Sequence, residues 1–484
     1  MKQLVCIFIV IAAAGFFLPY WLYDQFGSVD ISAILFHLQM PTSDALADWT
    51  RGLGLCLIEI VLASTLLGIF FYTARSRRRK ILFWLVLISV LGWDIYNLQI
   101  IGYLRARITN SAFIEQNYVS PSNVSITAPT HNLIMIQVES LESSLQDRAS
   151  GGLFDVNYIE SLTQLAREHV SFSHSGLFEG AVVLPETGWT MGALVSETAA
   201  LPLKAYKIHT SSDQIGNDFD QYTSFLAGVT TLGDILHDFG YRNYFILGSN
   251  KDFAGQSKYM QQHGNYIIYD KKDIIDQFPH ISENKGWWGV YDKDLYAFVK
   301  LKLYEITQNP QPFSMIIQTI DSHREGILEP DCSSIYPSQI ENVYVCVDKQ
   351  LNKFITWLRA QPFAATTTIV VIGDHCNMST GLFKQTVNKK IGLYQGTERK
   401  VFNLFINSAI TPAQEKNRQF STMDIFPTTL AAMGAQIAGD RLGLGANLFS
   451  QEPTLPEKYG YDLLFKELPK YSSFYNKELL YKEP

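Results

Sequence analysis

Three short apolar runs, 133–138, 315–319 and 367–372, are each followed by side chains that can hold a metal ion. In chain order these side chains are Glu139, Asp321, His323, Asp374 and His375. Such runs predict buried strands, and the carboxyl ends of parallel strands meet at one edge of a sheet. Carboxylates and imidazoles suit a divalent cation such as Mn²⁺ or Zn²⁺. One acidic residue after a strand is often only a cap, but three strand ends together indicate a metal site.

A hydroxyl that such a metal could activate lies in the stretch LPETGWTMGALVSETAALPL, residues 184–203. Thr190 follows Gly188 and Trp189 and directly precedes a helical run. At a helix N-terminus the backbone amides and the helix dipole favour an anion, so this hydroxyl could bind the metal and attack phosphorus. By position alone, the alternative is a threonine that merely caps the helix.

The elements that must position these residues alternate between strands and helices. Five strands are predicted, at 133–138, 244–247, 315–319, 367–372 and 402–406. Six helices are predicted, at 158–168, 190–198, 231–239, 292–307, 340–360 and 423–433. Strands separated by helices predict an α/β domain whose central, mostly parallel sheet is covered on both faces.

The composition indicates a membrane segment beside this domain. The chain has 484 residues, of which 47% are hydrophobic and 18% charged, below the roughly 25% charged residues of soluble chains. The net charge of −7 argues against a nucleic-acid-binding protein. Five cysteines exclude a small scaffold held together by many disulfides. The excess of apolar residues lies almost entirely in residues 1–104.

Three apolar stretches, 3–23, 52–72 and 81–103, are long enough to cross a bilayer, which takes about 20 residues. A cleaved signal peptide is the alternative for the first stretch. The basic cluster at 75–80 predicts that the loop after the second span is cytoplasmic, so that residues after 104 lie outside. The short run 29–40 predicts an interfacial helix between the first two spans.

Seven motifs follow one another along the outer domain. They are NLIMIQVESLESS (132–144), GWTMGALVSETAALPL (188–203), FAGQSKYMQQHG (253–264), WGVYDKDLY (288–296), TIDSHREGILEPDC (319–332), VVIGDHCNM (370–378) and MDIFPTTL (423–430). Through them, over about residues 117–450, the chain resembles the alkaline phosphatase and sulfatase superfamily. Within it, the chain is similar to membrane-anchored phosphoglycerol transferases that act on glucans and to lipoteichoic acid synthases.

The resemblance implies roles for individual residues. The implied metal ligands are Glu139, Thr190, Asp374 and His375. Thr190 would also carry a covalent phosphoryl intermediate. Substrate contacts fall to His323, near the phosphate, and to Asp252, Lys258 and Trp288, near the headgroup. Mn²⁺ is the expected cation, with Zn²⁺ or Mg²⁺ as alternatives.

The chain departs from the family pattern just before the proposed nucleophile. It has VVLPET at 182–187, where a Gly-Thr-Asn pattern would be expected. This departure leaves Thr187 as a rival nucleophile. Residues after Thr190 lack the Pro and Arg of the C/S-x-P-x-R pattern, so a formylglycine-dependent sulfatase is not expected.

The resemblance also implies an organisation and a reaction. The expected segments are a transmembrane anchor at 1–107, a linker at 108–130, an extracytoplasmic sulfatase-like domain at 131–450 and a C-terminal tail at 451–484. A multi-pass protein of the bacterial inner membrane would move phosphoglycerol from phosphatidylglycerol to a glycan or another hydroxyl acceptor. The alternatives are a phosphoethanolamine transferase, a phosphodiesterase or sulfatase-like hydrolase, and an inactive sensor that binds lipid or glycan.

The cysteines indicate the compartment in which the outer domain lies. Cys6 and Cys56 fall within predicted spans, whereas Cys332 and Cys346 lie in the outer domain. The family has cysteines in both of these outer neighbourhoods, which implies a Cys332–Cys346 disulfide formed outside the cytoplasm. Cys376, beside the expected metal ligands, would then stay unpaired.

Overall fold

The computed structural model describes residues 2–26, 46–97, 100–204, 208–210, 213–215, 225–283, 289–323, 326–378, 380–383 and 397–480. The predicted interfacial helix at 29–40 lies outside these ranges. The strands are β1 Asn132–Val138, β2 Ile208–Thr210, β3 Asp213–Ile215, β4 Arg242–Leu247, β5 Ile267–Tyr269, β6 Phe313–Gln318, β7 Thr367–Gly373, β8 Asn403–Ile406, β9 Arg441–Leu442 and β10 Gly445–Ala446.

Each of the six helices predicted in the outer domain is present, with bounds within two residues of the prediction, and the other outer-domain helices were not predicted. The helices are α1 Lys2–Phe26, α2 Leu46–Thr73, α3 Arg77–Asn97, α4 Ile100–Ile108, α5 Phe113–Asn117, α6 Glu160–Glu168, α7 Thr190–Ala199, α8 Leu232–Asp238, α9 Gln256–Gln262, α10 Lys271–Gln277, α11 Asp292–Ile306, α12 Gln339–Arg359, α13 Thr380–Phe383, α14 Ile425–Ala432, α15 Leu455–Tyr459 and α16 Tyr461–Glu467.

Six strands form one central sheet in the order β5-β4-β6-β1-β7-β8. The pairs β5-β4, β4-β6, β6-β1 and β1-β7 are parallel, and β8 is antiparallel to β7 at one edge. The predicted mostly parallel sheet is therefore confirmed. The sequence prediction missed β5, a three-residue edge strand whose side chains are only half-buried.

The sheet is buried on both faces because helices cover it on both sides. Along β1, Leu133 and Met135 enter one hydrophobic core, and Ile134 and Ile136 enter the other. Alternate side chains of a strand point to opposite faces, so a nearly continuous apolar run is what a strand between two layers requires. Burying each such side chain contributes about 1.5–3 kcal/mol.

Near the N-terminus, the described residues contain one helix, Gly52–Thr73, that is long and apolar enough to cross a membrane. The helices Arg77–Tyr96 and Ile101–Ile108 would count as one further span if they are taken together as a bent pair. The apolar helix Val5–Trp21 is shorter. The three predicted spans therefore remain a prediction.

Candidate metal centre and nucleophile

Strand pairing brings the expected metal ligands together. In the β1-β7 ladder, Val138 lies opposite Gly373, so that Glu139 and Asp374 leave the sheet side by side. Gly373 is required there: a Cβ at this position would lie 1.8 Å from the carbonyl oxygen of Leu141. The glycine of the Gly-Asp-His motif thus permits the close approach that places its neighbours.

Glu139, Asp374 and His375 form one buried cluster, with one potential ligand atom from each within 4.8 Å of the others. Nε2 of His375 lies 3.5 Å from Oε1 of Glu139 and 3.5 Å from Oδ2 of Asp374. Nδ1 of His375 lies 3.0 Å from the carbonyl oxygen of Cys376. If Nδ1 donates its proton to that carbonyl, Nε2 is left with a lone pair that faces the two carboxylates.

Backbone and hydroxyl donors hold the two carboxylates in place. The backbone N–H groups of Ser140 and His375 both donate to Oδ1 of Asp374, each at 2.7 Å. The hydroxyl of Ser140 donates to Oε1 of Glu139 at 2.6 Å. Oδ2 of Asp374 is buried and has no hydrogen-bond partner among the described residues. One carboxylate oxygen is therefore held ready for a ligand that the protein chain does not supply.

The electrostatics of the cluster favour a cation. Burial and the neighbouring Asp374 raise the pKa of Glu139 from 4.5 to about 8. Burial likewise raises the pKa of Asp374. Burial alone would lower the pKa of His375, but Asp374 and Glu139 outweigh it and raise that pKa. Two buried carboxylates with one imidazole, and one oxygen without a partner, fit a divalent metal ion.

Thr190 lies beside this cluster. It is the first residue of α7, and its Oγ1 lies 3.5 Å from Nε2 of His375. The rival hydroxyl, that of Thr187, is buried and donates to the carbonyl oxygen of Leu184 at 2.9 Å. Thr190 is thus the half-buried hydroxyl at the cluster, and Thr187 is already engaged with the backbone.

The turn before Thr190 contains a buried ion pair that the sequence did not reveal. Glu186 has a positive φ of 65°, and its Oε2 lies 3.0 Å from Nζ of the fully buried Lys204. Arg107, at the end of α4, approaches Oε1 of the same carboxylate at 3.7 Å. A non-glycine residue in this conformation costs of the order of 1–3 kcal/mol, which the surrounding contacts must offset.

Further polar residues near the cluster were not predicted from the sequence. Arg399 forms an ion pair with Glu142, and Glu142 accepts a hydrogen bond from the backbone N–H of Asn377 at 2.8 Å. On the other side, buried Gln137 donates to Glu197 at 2.8 Å. Gln137, Glu142, Glu197 and Asn377 all belong to the seven motifs, so their positions in those motifs were the available signal, whereas Arg399 lies outside them.

The residues predicted to contact the substrate differ from one another in their exposure and position. His323 is half-buried in the turn after β6, directly after Ser322, whose hydroxyl donates to the carbonyl oxygen of Glu139. Asp252 is exposed and accepts a hydrogen bond from Ser257 at 2.7 Å, and Lys258 is half-buried on α9. Trp288 lies outside the described residues.

Asp321 does not join the metal cluster, although it also follows a strand. Its Oδ2 accepts a hydrogen bond from the backbone N–H of Asp292 at 3.1 Å, and both side chains are buried. Of the three strand ends expected to meet, those of β1 and β7 therefore bring their side chains into the cluster, and that of β6 does not. The turn after β6 directs Asp321 towards α11 instead.

Cys332 and Cys346 form a disulfide, with their Cα atoms 5.8 Å apart. The bond joins the loop after β6 to helix α12. Cys376 is buried and unpaired, and burial, with the nearby Glu142, raises the pKa of its thiol. Its thiol is therefore kept protonated and unreactive.

Comparison with known proteins agrees with this architecture. The sulfatase family model matches residues 196–435, which include Asp374 and His375 but begin after Glu139 and Thr190. Residues 196–435 are therefore similar to sulfatase domains.

Individual relatives and a solved structure indicate narrower classes of enzyme to which the chain is similar. Phosphoglycerol transferase I of Escherichia coli and that of Shigella boydii are each 28% identical over 344 residues, 69% of this chain and 41% of theirs. The chain thus spans about two-fifths of the length of these relatives. The lipoteichoic acid synthase LtaP from Listeria monocytogenes superposes with a TM-score of 0.51 at 18% identity, covering 71% of this chain and 82% of that structure.

Proposed function

We propose that the protein transfers a phosphoglycerol headgroup from phosphatidylglycerol to a hydroxyl acceptor, through a covalent intermediate on Thr190. The observation that carries the proposal is the position of the Thr190 hydroxyl, 3.5 Å from His375 and at the first residue of a helix. The similarity to enzymes named phosphoglycerol transferase I supports the choice of phosphoglycerol.

The proposed metal ligands are Glu139, Asp374, His375 and Thr190. Mn²⁺ is proposed because three of these residues offer oxygen and one offers nitrogen, while Zn²⁺ and Mg²⁺ remain alternatives. When bound, the ion would supply positive charge that stabilises the phosphoryl oxygens and lowers the pKa of a bound hydroxyl.

The side chains have distinct parts in the reaction. Oγ1 of Thr190 attacks as the alkoxide, whose formation a bound cation would favour; it forms a bond to phosphorus, and the bond from phosphorus to the diacylglycerol oxygen breaks. We assign His323 to donate a proton to the departing diacylglycerol oxygen. An acceptor hydroxyl then loses its proton to His323 and attacks the phosphorus, which releases Thr190.

Two features would help to hold the donor at the site. The N-terminal amides of α7 favour the phosphate anion beside Thr190. Asp252 and Lys258 are proposed to contact the glycerol headgroup, since they share the segment between β4 and β5.

We further propose that residues 1–107 anchor the protein by three spans in a bacterial inner membrane, with residues 131–450 as the catalytic domain outside it. Residues 108–130 would be the linker, and residues 451–484 the tail. An anchor keeps the domain near phospholipid headgroups and so near the donor. The charge distribution supports this orientation, because the basic cluster at 75–80 would remain in the cytoplasm.

The decisive test uses the full chain in vesicles that contain phosphatidylglycerol labelled in its headgroup, with Mn²⁺ and a glucan acceptor. Transfer of the label to the glucan, with formation of diacylglycerol, is the expected result. Release of the label only as free glycerol phosphate would favour a hydrolase. Label transfer from phosphatidylethanolamine instead would favour a phosphoethanolamine transferase. No turnover of either lipid, with binding retained, would identify a sensor.

A further inference from the structure

A cavity lies between α11, α12 and the loop after β6, and none of the residues of the metal cluster lines it. Its volume is about 320 Å³, large enough for a sugar ring. The Cys332–Cys346 disulfide forms part of its lining and joins the loop to α12, so two of its walls are covalently linked.

Four lysines line this cavity, which we call the lysine cavity. They are Lys293 and Lys300 on α11 and Lys349 and Lys353 on α12. Lysines spaced by four or seven residues share one face of a helix, so each helix directs two ammonium groups to the same space. The lining carboxylates are only two, Glu329 and Asp331. The cavity therefore carries an excess of positive charge.

The lining carboxylates engage only one of these lysines. Nζ of Lys293 lies 2.7 Å from Asp331 and 3.5 Å from Glu329. Lys300 lies over the ring of Trp357, with Nζ 5.3 Å from its centroid. Within the described part of the chain, no carboxylate lies at ion-pair distance from Lys300, Lys349 or Lys353. Three cationic groups are thus available to an anion.

The inner wall of the lysine cavity presents polar atoms that lack partners. The Oη of Tyr296 has no hydrogen-bond partner in the regions that the structure covers. Tyr296 is 4% exposed. Oε1 of Gln350 is also unpartnered. Buried polar atoms normally find a partner, so these atoms indicate a ligand that supplies hydroxyl groups.

The loop that lines the cavity also carries the proposed catalytic histidine. His323 and Glu329 are six positions apart. Between them, the carbonyl oxygen of His323 accepts a hydrogen bond from the N–H of Gly326 at 3.0 Å, and that of Asp321 from Ile327 at 2.8 Å. These bonds hold Gly326 and Ile327, which precede the cavity wall, next to Asp321 and His323 at the end of β6.

We propose that the lysine cavity binds an anionic sugar unit of the acceptor glycan. The lysines would contact its phosphate or carboxylate group, and Gln350 and Tyr296 its hydroxyl groups. Binding there would tether the glycan while another of its hydroxyls reaches Thr190. This inference rests on the proposed transferase function for the identity of the acceptor, but binding to the cavity can be measured without turnover.

The test measures binding to the full-length protein in neutral detergent by calorimetry. The probes are glucose 6-phosphate and glucuronate as anionic sugars, glucose as the neutral sugar, and inorganic phosphate. Glucose 6-phosphate or glucuronate is expected to bind more tightly than glucose or phosphate. The double variant Lys349→Ala/Lys353→Ala should weaken that binding at least about tenfold, because two charged contacts are lost. Both lysines are exposed, so their removal leaves the core intact.

Lys466→Ala is the matched control, since Lys466 is an exposed helical lysine outside the cavity. The control should bind like the unsubstituted protein, and Tyr296→Phe should bind more weakly while it keeps the ring stacked on Phe354. Equal binding by the double variant and the control would overturn the proposal, as would equal affinity for glucose and the anionic sugars.

A second measurement separates this proposal from the proposed function. The double variant should raise the KM for an anionic glucan and leave the formation of the Thr190 adduct unchanged. If the double variant binds sugar as before while the adduct still forms, only the cavity proposal fails. If no adduct forms but sugar binding depends on the lysines, only the transferase proposal fails.

Discussion

The hydroxyl oxygen of Thr190 lies 3.5 Å from Nε2 of His375, although the two residues are 185 positions apart in the chain. The same imidazole nitrogen is 3.5 Å from Glu139 and 3.5 Å from Asp374. One histidine nitrogen is therefore the point at which the hydroxyl and both carboxylates meet. A hydroxyl beside a group of ligands that could hold a cation is the arrangement that the proposed covalent phosphoryl transfer would use.

Thr190→Ala should abolish turnover and the covalent adduct. With phosphatidylglycerol and no acceptor, intact-peptide mass spectrometry should find one phosphoglycerol group on the peptide with Thr190. Thr190→Ser should keep partial activity, because it retains the hydroxyl and loses the methyl group that restricts χ1.

Thr187→Ala is the matched control for this substitution. Its hydroxyl only donates to Leu184, so the variant should keep the adduct and lose about 1 kcal/mol of stability. An adduct on Thr187, or normal turnover by Thr190→Ala, would refute the assignment of the nucleophile.

Substitution of each proposed metal ligand should reduce the amount of metal bound to the protein. Glu139→Gln, Asp374→Asn and His375→Ala should each lose most of the bound Mn²⁺, measured by elemental analysis of the purified full chain. Chelator should inactivate the unsubstituted protein, and Mn²⁺ should restore it. Asp155→Asn, at an exposed carboxylate, should bind metal normally. Full metal content in two of the three ligand variants would show that the ion binds elsewhere.

The stability of the metal-free protein should fall as pH rises. The pKa of Glu139 is raised from 4.5 to about 8, so the folded state binds more protons than the unfolded state between these values. The raised pKa values of Asp374 and His375 act in the same direction. Chelated protein should therefore have a lower Tm near pH 8 than near pH 5, whereas Mn²⁺ should bind more tightly as pH rises.

Glu139→Gln should flatten this dependence of Tm on pH, since it removes one of the titrating groups. The measurement is thermal unfolding of the chelated protein across that pH range. A Tm that rises with pH in the chelated, unsubstituted protein would contradict the proposed proton uptake.

Reduction of the Cys332–Cys346 disulfide should destabilise the catalytic domain. The bond closes a segment of 14 positions, and a loop of this length contributes about 3 kcal/mol by restricting the unfolded chain. Cys332→Ser/Cys346→Ser should unfold at lower denaturant concentration than the parent. Cys376→Ser should leave the effect of reductant unchanged, because Cys376 forms no disulfide. Equal denaturation midpoints with and without reductant would exclude a structural role for the bond.

Reporter fusions should reveal the orientation of the anchor. A reporter that is active only in the cytoplasm should work after residue 76, within the basic cluster, and one that is active only outside should work after residue 110. The reverse pattern would place the catalytic domain, and its disulfide, on the cytoplasmic side.

The sequence by itself determined five of the six strands of the central sheet, six helices of the outer domain and the sheet edge at which the proposed metal ligands lie. These features follow from local properties: β-branched runs form strands, amphipathic runs form helices, and the residue after a strand emerges at its end. For this reason the strand ends offered Glu139, Asp321, His323, Asp374 and His375, from which the family resemblance selected Glu139, Asp374 and His375, and Thr190 could be placed at a helix start. The sequence left Thr187 as a rival, and only the structure shows Thr190 beside the cluster and Thr187 bonded to the backbone.

The tertiary structure decided what depends on contacts between distant residues. Glu139 meets Asp374 because β1 pairs with β7 in one register, whereas Asp321, also after a strand, turns towards Asp292. The ion pair of Glu186 with Lys204 likewise forms only when the turn before α7 and the segment after α7 pack together. Lysines spread over two helices make one cavity only after those helices pack. A sequence shows which side chains are present, but the packing of the chain determines which charges share a buried space and must therefore be compensated.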